Sequence, residues 1–142
     1  MICPRIDVRH YPVFNSTGPD IADEEREMAD ANQWLLEIRL FRVRPGMRDE
    51  FDRVSRDGTI PLMRSLGITV VAHGVSPNNE NGYFLLRAFP SEADRVTRSQ
   101  SLYTTAEWLR NYDEPVGAMI DDYDTVVLPV TPEAIRELAG TG

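Results

Sequence analysis

The sequence contains no lysine, one cysteine and two histidines. Because Cys3 stands alone, an intrachain disulfide cannot form, and a zinc site built from paired cysteines is excluded. The 15 basic residues are all arginines and face 23 acidic residues, which gives a net charge of -8. Nucleic acids and anionic membranes are contacted through basic surfaces. This charge balance therefore argues against both as partners.

Long apolar runs are also missing. No segment approaches the roughly 18 consecutive apolar residues of a membrane-spanning helix, and residues 1–14 lack the apolar centre of a signal peptide. Together with the single cysteine, this predicts a cytoplasmic protein. The length of 142 residues fits one domain, and such a domain buries about 68–70% of its unfolded surface. A core can therefore form without disulfides.

The most regular pattern runs from Trp34 to Gly46. Its side chains alternate in character with a period of two over ten residues, which predicts a strand. Pro45-Gly46 then ends the strand. One face of the strand comprises Leu36, Ile38 and Leu40, and the other face comprises Glu37, Arg39, Phe41 and Val43.

The rest of the chain continues with alternating helix and strand patterns. The first predicted helix runs from Met47 to Leu66 and is broken at Gly58 and Pro61, and two strands follow at 68–75 and 83–89. The second predicted helix is capped by Ser91 and has a second start at Thr104. After it come an irregular connection at 114–122, a strand at 123–130 and a short helix at 133–138. This order predicts an α+β fold, the ferredoxin-like β-α-β-β-α-β plait. Right-handed crossovers would place strands one and three at the centre of a four-stranded antiparallel sheet.

The pattern divides the chain into three parts. Residues 1–33 form an arm with an edge strand and an acidic helix, residues 34–130 form the domain, and residues 131–142 form a short helix and tail. A single plait leaves one sheet face in water, yet both faces of strands one and three carry large apolar groups. This predicts a homodimer whose sheets pack together.

Several segments resemble the NIPSNAP family. The opening strand has an acid, an intervening residue and an arginine, and it ends in proline-glycine before a helix with an acid-phenylalanine pair. Further matches follow in the same order along residues 34–130. The matching segments are Leu36 to Phe51, Pro61-Leu62 before Leu66-Gly67, Ser91 to Arg95, and Ala106-Glu107-Trp108.

This resemblance implies a dimeric α+β barrel. The superfamily includes cofactor-free monooxygenases, haem-degrading enzymes, isomerases and small-molecule binders. The implied protein is a homodimer that needs no cofactor and takes a small hydrophobic or aromatic molecule, and an enzyme of monooxygenase, isomerase or cyclase type is expected.

Candidate site residues lie on the predicted central strands and the second helix. His73 suits general acid/base work because its ordinary pKa is near neutrality, and a buried arginine can stabilise developing negative charge. The catalytic candidates are His73, Arg39, Arg87 and Tyr83. The candidate pocket residues are Glu37, Phe41, Phe89, Tyr103 and Trp108.

Simpler interpretations of these residues remain open. Glu37, Arg39 and Arg87 suit a structural ion network, since a buried charge needs a partner. His73 suits a hydrogen-bonded core position, and a lone histidine is weak support for haem. Consecutive acids such as Asp121 and Asp122 usually meet solvent, so no metal is predicted. Three functions therefore compete: a cofactor-independent enzyme, a ligand-binding module without turnover, and a protein-interaction module.

Overall fold

Four strands form one antiparallel sheet in the order β2-β3-β1-β4 in the computed structural model, which describes residues 33–140. The strands are β1 (Trp34–Val43), β2 (Thr69–Val75), β3 (Gly82–Phe89) and β4 (Ile120–Val130). Strands β1 and β3 lie at the centre of the sheet. This order confirms the predicted ferredoxin-like plait.

Helices make up the two crossover connections of the plait. The connection from β1 to β2 contains α1 (Arg48–Val54), a π-helical turn (Ser55–Thr59) and α2 (Ile60–Ser65). The connection from β3 to β4 contains α3 (Glu92–Tyr103), α4 (Ala106–Asn111) and α5 (Asp113–Met119). A last helix, α6 (Pro132–Gly140), follows β4.

The π-helical turn lies where the sequence predicts a break, at Gly58 and Pro61. Pro61 has no N–H to donate to the carbonyl of Asp57, so the regular helical ladder fails at this point. The N–H of Ile60 instead donates to the carbonyl of Ser55, five residues earlier. The helix therefore widens by one residue without ending.

A β-bulge in β2 breaks the alternation of side chains that is expected of a regular strand over Thr69 to Val75. Strict alternation places Val71 on the same face as His73 and Val70 on the other. In the structure the register with β3 shifts between Val70 and Ala72. Val70 and His73 consequently share the face covered by helices, while Val71 packs on the opposite face. The bulge adds one unpaired residue, and the local sequence carries no signal for it.

The connection after α3 is more helical than the sequence predicts. Ser91 caps α3 as expected, but the second cap is Thr105 rather than Thr104, because the Thr105 hydroxyl accepts the N–H of Trp108. Residues 114–122, predicted to be irregular, belong to α5 and to the start of β4. Pro115 fits the first turn of α5, where a missing N–H breaks no helical hydrogen bond.

The two faces of the sheet are covered differently. On one face, side chains of the strands and of α1 to α5 form the main core. On the other face, Ile135 of α6 packs against Leu36 and Ala88 near one end of the sheet. Leu40, near the other end, is 50% exposed. Helix α6 therefore covers only part of an apolar surface.

The predicted arm lies outside the described residues. Its predicted edge strand and acidic helix are therefore not described by the structure. The boundaries of the three predicted parts of the chain stay predictions. Between residues 33 and 140, no helix combines the length and the apolar character that a bilayer crossing requires.

Alanine substitution at two glycines tests the turn geometry. Gly67 ends α2 with φ of +83°, and Gly46 follows β1 with φ of +82°. An alanine in this left-handed region costs about 1–2 kcal/mol. A Cβ at position 67 would also collide with the guanidinium of Arg98, whereas nothing lies within 4 Å at position 46. We expect Gly67→Ala to reduce the free energy of unfolding in urea more than Gly46→Ala does, and equal reductions would contradict this account.

Candidate functional site

A buried carboxylate on β1 joins three elements of the fold. Glu37 is fully buried, and its Oε1 accepts a hydrogen bond from Nε of Arg87 in β3 at 2.8 Å and pairs with Nη2 of the same arginine at 2.6 Å. Its Oε2 accepts from Nη1 of Arg95 in α3 at 2.8 Å. The Nε of Arg39, two residues along β1, lies 3.2 Å from Oε1. We call these four side chains the Glu37 cluster.

The Glu37 cluster holds more positive than negative charge. Its three arginines outnumber Glu37 and Glu92, which binds Arg95 at 2.6 Å and 2.8 Å, so the formal balance is +1. Burial, together with the neighbouring charges of Arg87 and Arg95, lowers the pKa of Arg39 to about 10. Burial opposes the charged form of Arg87 as well, but the charge of Glu37 raises the pKa of Arg87 overall.

A second polar group links α1 to β2 and β3. The hydroxyl of Tyr83 donates to Oδ1 of Asp52 at 2.8 Å and lies 2.9 Å from Nδ1 of His73. Because Tyr83 has one proton and gives it to Asp52, His73 acts as the donor in the second hydrogen bond. We call these residues the Asp52–Tyr83–His73 chain. In this chain the phenol of Tyr83 is hydrogen-bonded both to a carboxylate and to an imidazole.

Burial shifts the protonation equilibria of this chain. It raises the pKa of Tyr83, and the hydrogen bond to Asp52 raises it further, so the phenol stays protonated. Burial, followed by the positive charge of Arg64, lowers the pKa of His73. His73 is therefore uncharged at neutral pH and keeps a free site for a proton.

A small cavity of about 30 Å³ lies between the sheet and the helices, close to both polar groups. This volume accommodates about one or two water molecules. Tyr83 of the second polar group and Tyr103, whose hydroxyl lies 3.4 Å from Nη1 of Arg39, both line it. The π-helical turn contributes two buried hydroxyl residues, Ser55 and Thr59. The remaining walls are apolar and come from Phe41, Phe51, Ile60, Met63, Leu85, Trp108 and Val116.

The structure brings together most of the residues predicted from the sequence. Phe41, Tyr83, Tyr103 and Trp108 line the cavity. His73 does not line it and reaches it only through Tyr83. The predicted residues Glu37, Arg39 and Arg87 lie together in the Glu37 cluster, beside Tyr103, while the ring of Phe89 packs 5.4 Å from the guanidinium carbon of Arg87.

Four residues that hydrogen-bond to the predicted site residues were not themselves predicted from the sequence. Arg95 and Ser99 are four residues apart on one face of α3, and Ser99 accepts a hydrogen bond from Arg87 at 3.3 Å. Asp52 and Ser55 are three residues apart and meet Tyr83 from one side of the first helical connection. A signal for them was available in the sequence. Polar residues three or four positions apart in a helix share a face, and next to an apolar stripe that face points towards the core.

A larger groove of about 480 Å³ lies on the opposite face of the sheet, where Ile38 and Leu40 contribute to its floor. Neither the arginines of the Glu37 cluster nor His73 lines this groove. Among residues 33–140, no group of three or more histidine, cysteine or acidic side chains is arranged to hold a metal ion. The smaller cavity is therefore where the polar groups and an apolar interior meet.

Comparison with solved structures identifies the fold. A NIPSNAP family protein from Agrobacterium tumefaciens matches with a TM-score of 0.64 at 18% identity, over 70% of this chain and 94% of the other. A second NIPSNAP family protein of that organism, of unknown function, matches with a TM-score of 0.64 at 24% identity, over 70% and 90%. The chain has the NIPSNAP fold. This agrees with the resemblance in its sequence.

The chain is also similar in structure to a protein that is not described as NIPSNAP. A candidate antibiotic biosynthesis monooxygenase from Nitrosomonas europaea matches with a TM-score of 0.52 at 16% identity, over 66% of this chain and 95% of the other. No family model matches the sequence, and no curated protein matches it. At these identities the structural similarity establishes the fold alone.

Replacing Glu37 with glutamine tests the Glu37 cluster. The change keeps the side-chain shape and removes the charge that holds three guanidiniums. Removing one partner of a buried ion pair costs about 3–5 kcal/mol, and we expect a loss of this size in the free energy of unfolding. Glu50→Gln is the matched control, because Glu50 is 54% exposed and pairs with Arg53 on the surface. A variant Glu37→Gln as stable as the control would contradict a structural role.

The pH dependence of stability tests His73. Its pKa in the folded protein is below the ordinary value of 6.5, so the unfolded chain binds more protons as the pH falls through that value. The free energy of unfolding should therefore decrease between about pH 7 and pH 5. In His73→Gln this decrease should be smaller, as measured by urea titration at each pH. Equal slopes for the two proteins would show that the folded state does not disfavour the imidazolium.

Proposed function

We propose that this protein is a NIPSNAP-like homodimer that binds a small hydrophobic or aromatic molecule and acts on it as a cofactor-independent enzyme. The site is the small cavity between the sheet and the π-helical turn. The observation that carries the proposal is the Asp52–Tyr83–His73 chain, because it brings a proton acceptor to the wall of a largely apolar cavity. Monooxygenase, isomerase and cyclase reactions all fit a first step of proton removal.

The proposed first step moves one proton. The step requires the His73 tautomer in which Nδ1 is unprotonated, with the Tyr83 hydroxyl turned from Asp52 towards that nitrogen. An acidic C–H or O–H of the substrate then gives its proton to the oxygen of Tyr83, and Tyr83 passes its own proton to Nδ1 of His73. The substrate becomes an enolate or phenolate, and His73 becomes an imidazolium. Tyr83 ends the step as a phenol, in keeping with its raised pKa. His73 thus acts through Tyr83 and does not touch the substrate.

The Glu37 cluster would stabilise the resulting anion. Together with Glu92 it has a formal charge of +1, and this charge lies behind Tyr103, whose ring lines the cavity. In an interior of low dielectric constant such a charge acts more strongly than in water. Arg39 and Arg87 are therefore assigned an electrostatic role at a distance, with Glu37 as the residue that positions them. Phe41, Trp108 and Tyr103 are assigned to the apolar walls.

Surface properties support the remaining parts of the proposal. The exposed apolar residues of the second sheet face favour a homodimer. The net charge of -8 disfavours nucleic acid and anionic membranes as partners. The cytoplasm remains the predicted compartment.

A non-catalytic module of the same fold is the alternative. The observation in its favour is the size of the cavity, since about 30 Å³ is too little for an aromatic ring. A substrate would have to displace the π-helical turn or α5. A protein without turnover would use the exposed sheet face for binding a ligand or a protein.

Native mass spectrometry of protein purified from its own host separates these possibilities first. A co-purifying small molecule would name the ligand class, and the mass would give the number of subunits. A molecule without any acidic proton would overturn the proposed first step.

His73→Gln then tests catalysis with the ligand so identified. If His73 accepts the proton, turnover should fall by about 100-fold or more, in the range of general base catalysis, while ligand affinity changes little. Thr59→Val is the matched control, because Thr59 lines the cavity but does not belong to the Asp52–Tyr83–His73 chain. It should alter affinity and leave the pH profile of turnover unchanged. Equal losses of affinity and turnover in His73→Gln would remove His73 from the mechanism.

A further inference from the structure

The hydroxyl of Tyr83 lies between two groups that can both accept its proton. Oδ1 of Asp52 is 2.8 Å from the phenol oxygen, and Nδ1 of His73 is 2.9 Å from it. A phenol has only one proton to donate. Asp52 and His73 therefore compete for the same proton, and the outcome decides which nitrogen of His73 carries a hydrogen.

Asp52 is the stronger of the two acceptors. Its Oδ2 forms an ion pair with Nη1 of Arg56 at 2.7 Å, so the carboxylate is charged and acts only as an acceptor. Hydrogen bonds to a charged acceptor are roughly twice as strong as those between neutral groups. The proton of Tyr83 consequently points to Asp52, as the structure shows.

The position of this proton fixes the tautomer of His73. The oxygen of Tyr83 then accepts a hydrogen bond from Nδ1, and a neutral imidazole with its hydrogen on Nδ1 has none on Nε2. In this form Nδ1 has no lone pair for a further proton. The proposed first step, which delivers a proton to Nδ1, cannot start from this arrangement.

We propose that Asp52 is a positioning residue that holds the Asp52–Tyr83–His73 chain in a resting form, because it fixes the tautomer of His73 through Tyr83. The reactive form arises when the hydroxyl turns towards His73. Nδ1 then gives its hydrogen to water and Nε2 takes one from water, which is feasible because His73 is partly exposed. The catalytic consequence rests on the proposed function, whereas the tautomer depends on the hydrogen bonds alone.

The role of Asp52 is opposite to that of the carboxylate in a Ser-His-Asp triad. In a triad the carboxylate binds the imidazole directly and holds it in the tautomer that accepts the proton. Here the carboxylate binds the phenol that lies between, and it holds the imidazole in the tautomer that cannot accept a proton at Nδ1. Removing Asp52 should therefore favour proton removal from a bound molecule.

Asp52→Leu tests the resting form. Leucine has a similar branched shape but no acceptor, so Tyr83 should turn to His73 and the hydrogen should move to Nε2. Nitrogen NMR at about pH 8, where the imidazole is neutral, distinguishes the two tautomers. We expect Nδ1–H in the natural protein and a change of about tenfold or more in the tautomer ratio in Asp52→Leu, since the lost acceptor was charged. His10→Gln removes the only other histidine and assigns the signals.

Asp57→Leu is the matched control. Asp57 lies 3.6 Å from Nε of Arg56, but it does not belong to the Asp52–Tyr83–His73 chain, so the tautomer should not change. Asp52→Asn is a second variant that keeps the side-chain shape. Its uncharged carbonyl is a weaker acceptor than a carboxylate, so the tautomer ratio should move in the same direction by a smaller factor. Circular dichroism would verify that each variant is folded.

Deuterium exchange into 2-tetralone tests the catalytic consequence. This probe is a small aromatic ketone with an acidic C–H, and proton NMR in heavy water follows the exchange. Burial and then Arg64 disfavour the imidazolium more than Asp52 favours it, so loss of the carboxylate should weaken the base only a little. We expect exchange to be about threefold faster or more with Asp52→Leu than with the natural protein, and unchanged with Asp57→Leu.

The two measurements separate this inference from the proposed function. An unchanged tautomer ratio in Asp52→Leu would overturn the resting form, whatever happens to the probe. A shifted ratio with slower exchange would make Asp52 itself the proton acceptor and would also overturn the resting form. A shifted ratio without exchange of the probe in any of these proteins would support the control of the tautomer by Asp52 and would count against the proposed function.

Discussion

The fold depends on a single carboxylate that is surrounded by guanidiniums. Glu37 is fully buried, and it binds arginines from β1, β3 and α3. Desolvating these charges is expensive, and the cost is recovered only when the partners are in place. The sheet and α3 are therefore required to pack in one relative position. Because the arginines outnumber the carboxylates, this interaction also leaves a surplus positive charge next to the core. A purely apolar core would carry no charge at this place.

The small cavity lies next to both polar groups, the Glu37 cluster and the Asp52–Tyr83–His73 chain. Tyr83 and Tyr103 line the same cavity, one attached to a proton acceptor and the other beside the Glu37 cluster. A molecule in this space would meet a base on one side and a positive potential on the other. The cavity is small because the π-helical turn and aromatic rings fill most of the interior. A substrate larger than one or two water molecules would therefore require the helical layer to move.

The sequence was sufficient to predict the strands and the order of the sheet, but it predicted only part of the candidate site. Alternation in β1 placed Glu37 and Arg39 on one face, because hydrophobic periodicity follows directly from strand geometry. The bulge at Val70 and the helical start of the 114–122 segment depend on tertiary packing, which no local pattern encodes. Arg95 was missed because an arginine on a helix rich in charged residues is expected at the surface until its buried carboxylate partner is known. Pairings across 58 positions in the chain, as between Glu37 and Arg95, become visible only in three dimensions.

The π-helical turn makes one part of the molecule intolerant of changes in length. Removing one residue from Ser55–Thr59 would restore regular helical geometry. Each helical residue accounts for about 100° of rotation, so everything before the deletion would swing around the helix axis by that angle relative to α2. Asp52 would then point away from Tyr83, although every side chain of the site was still present. The acid of the chain is thus held in register by the number of residues in one turn.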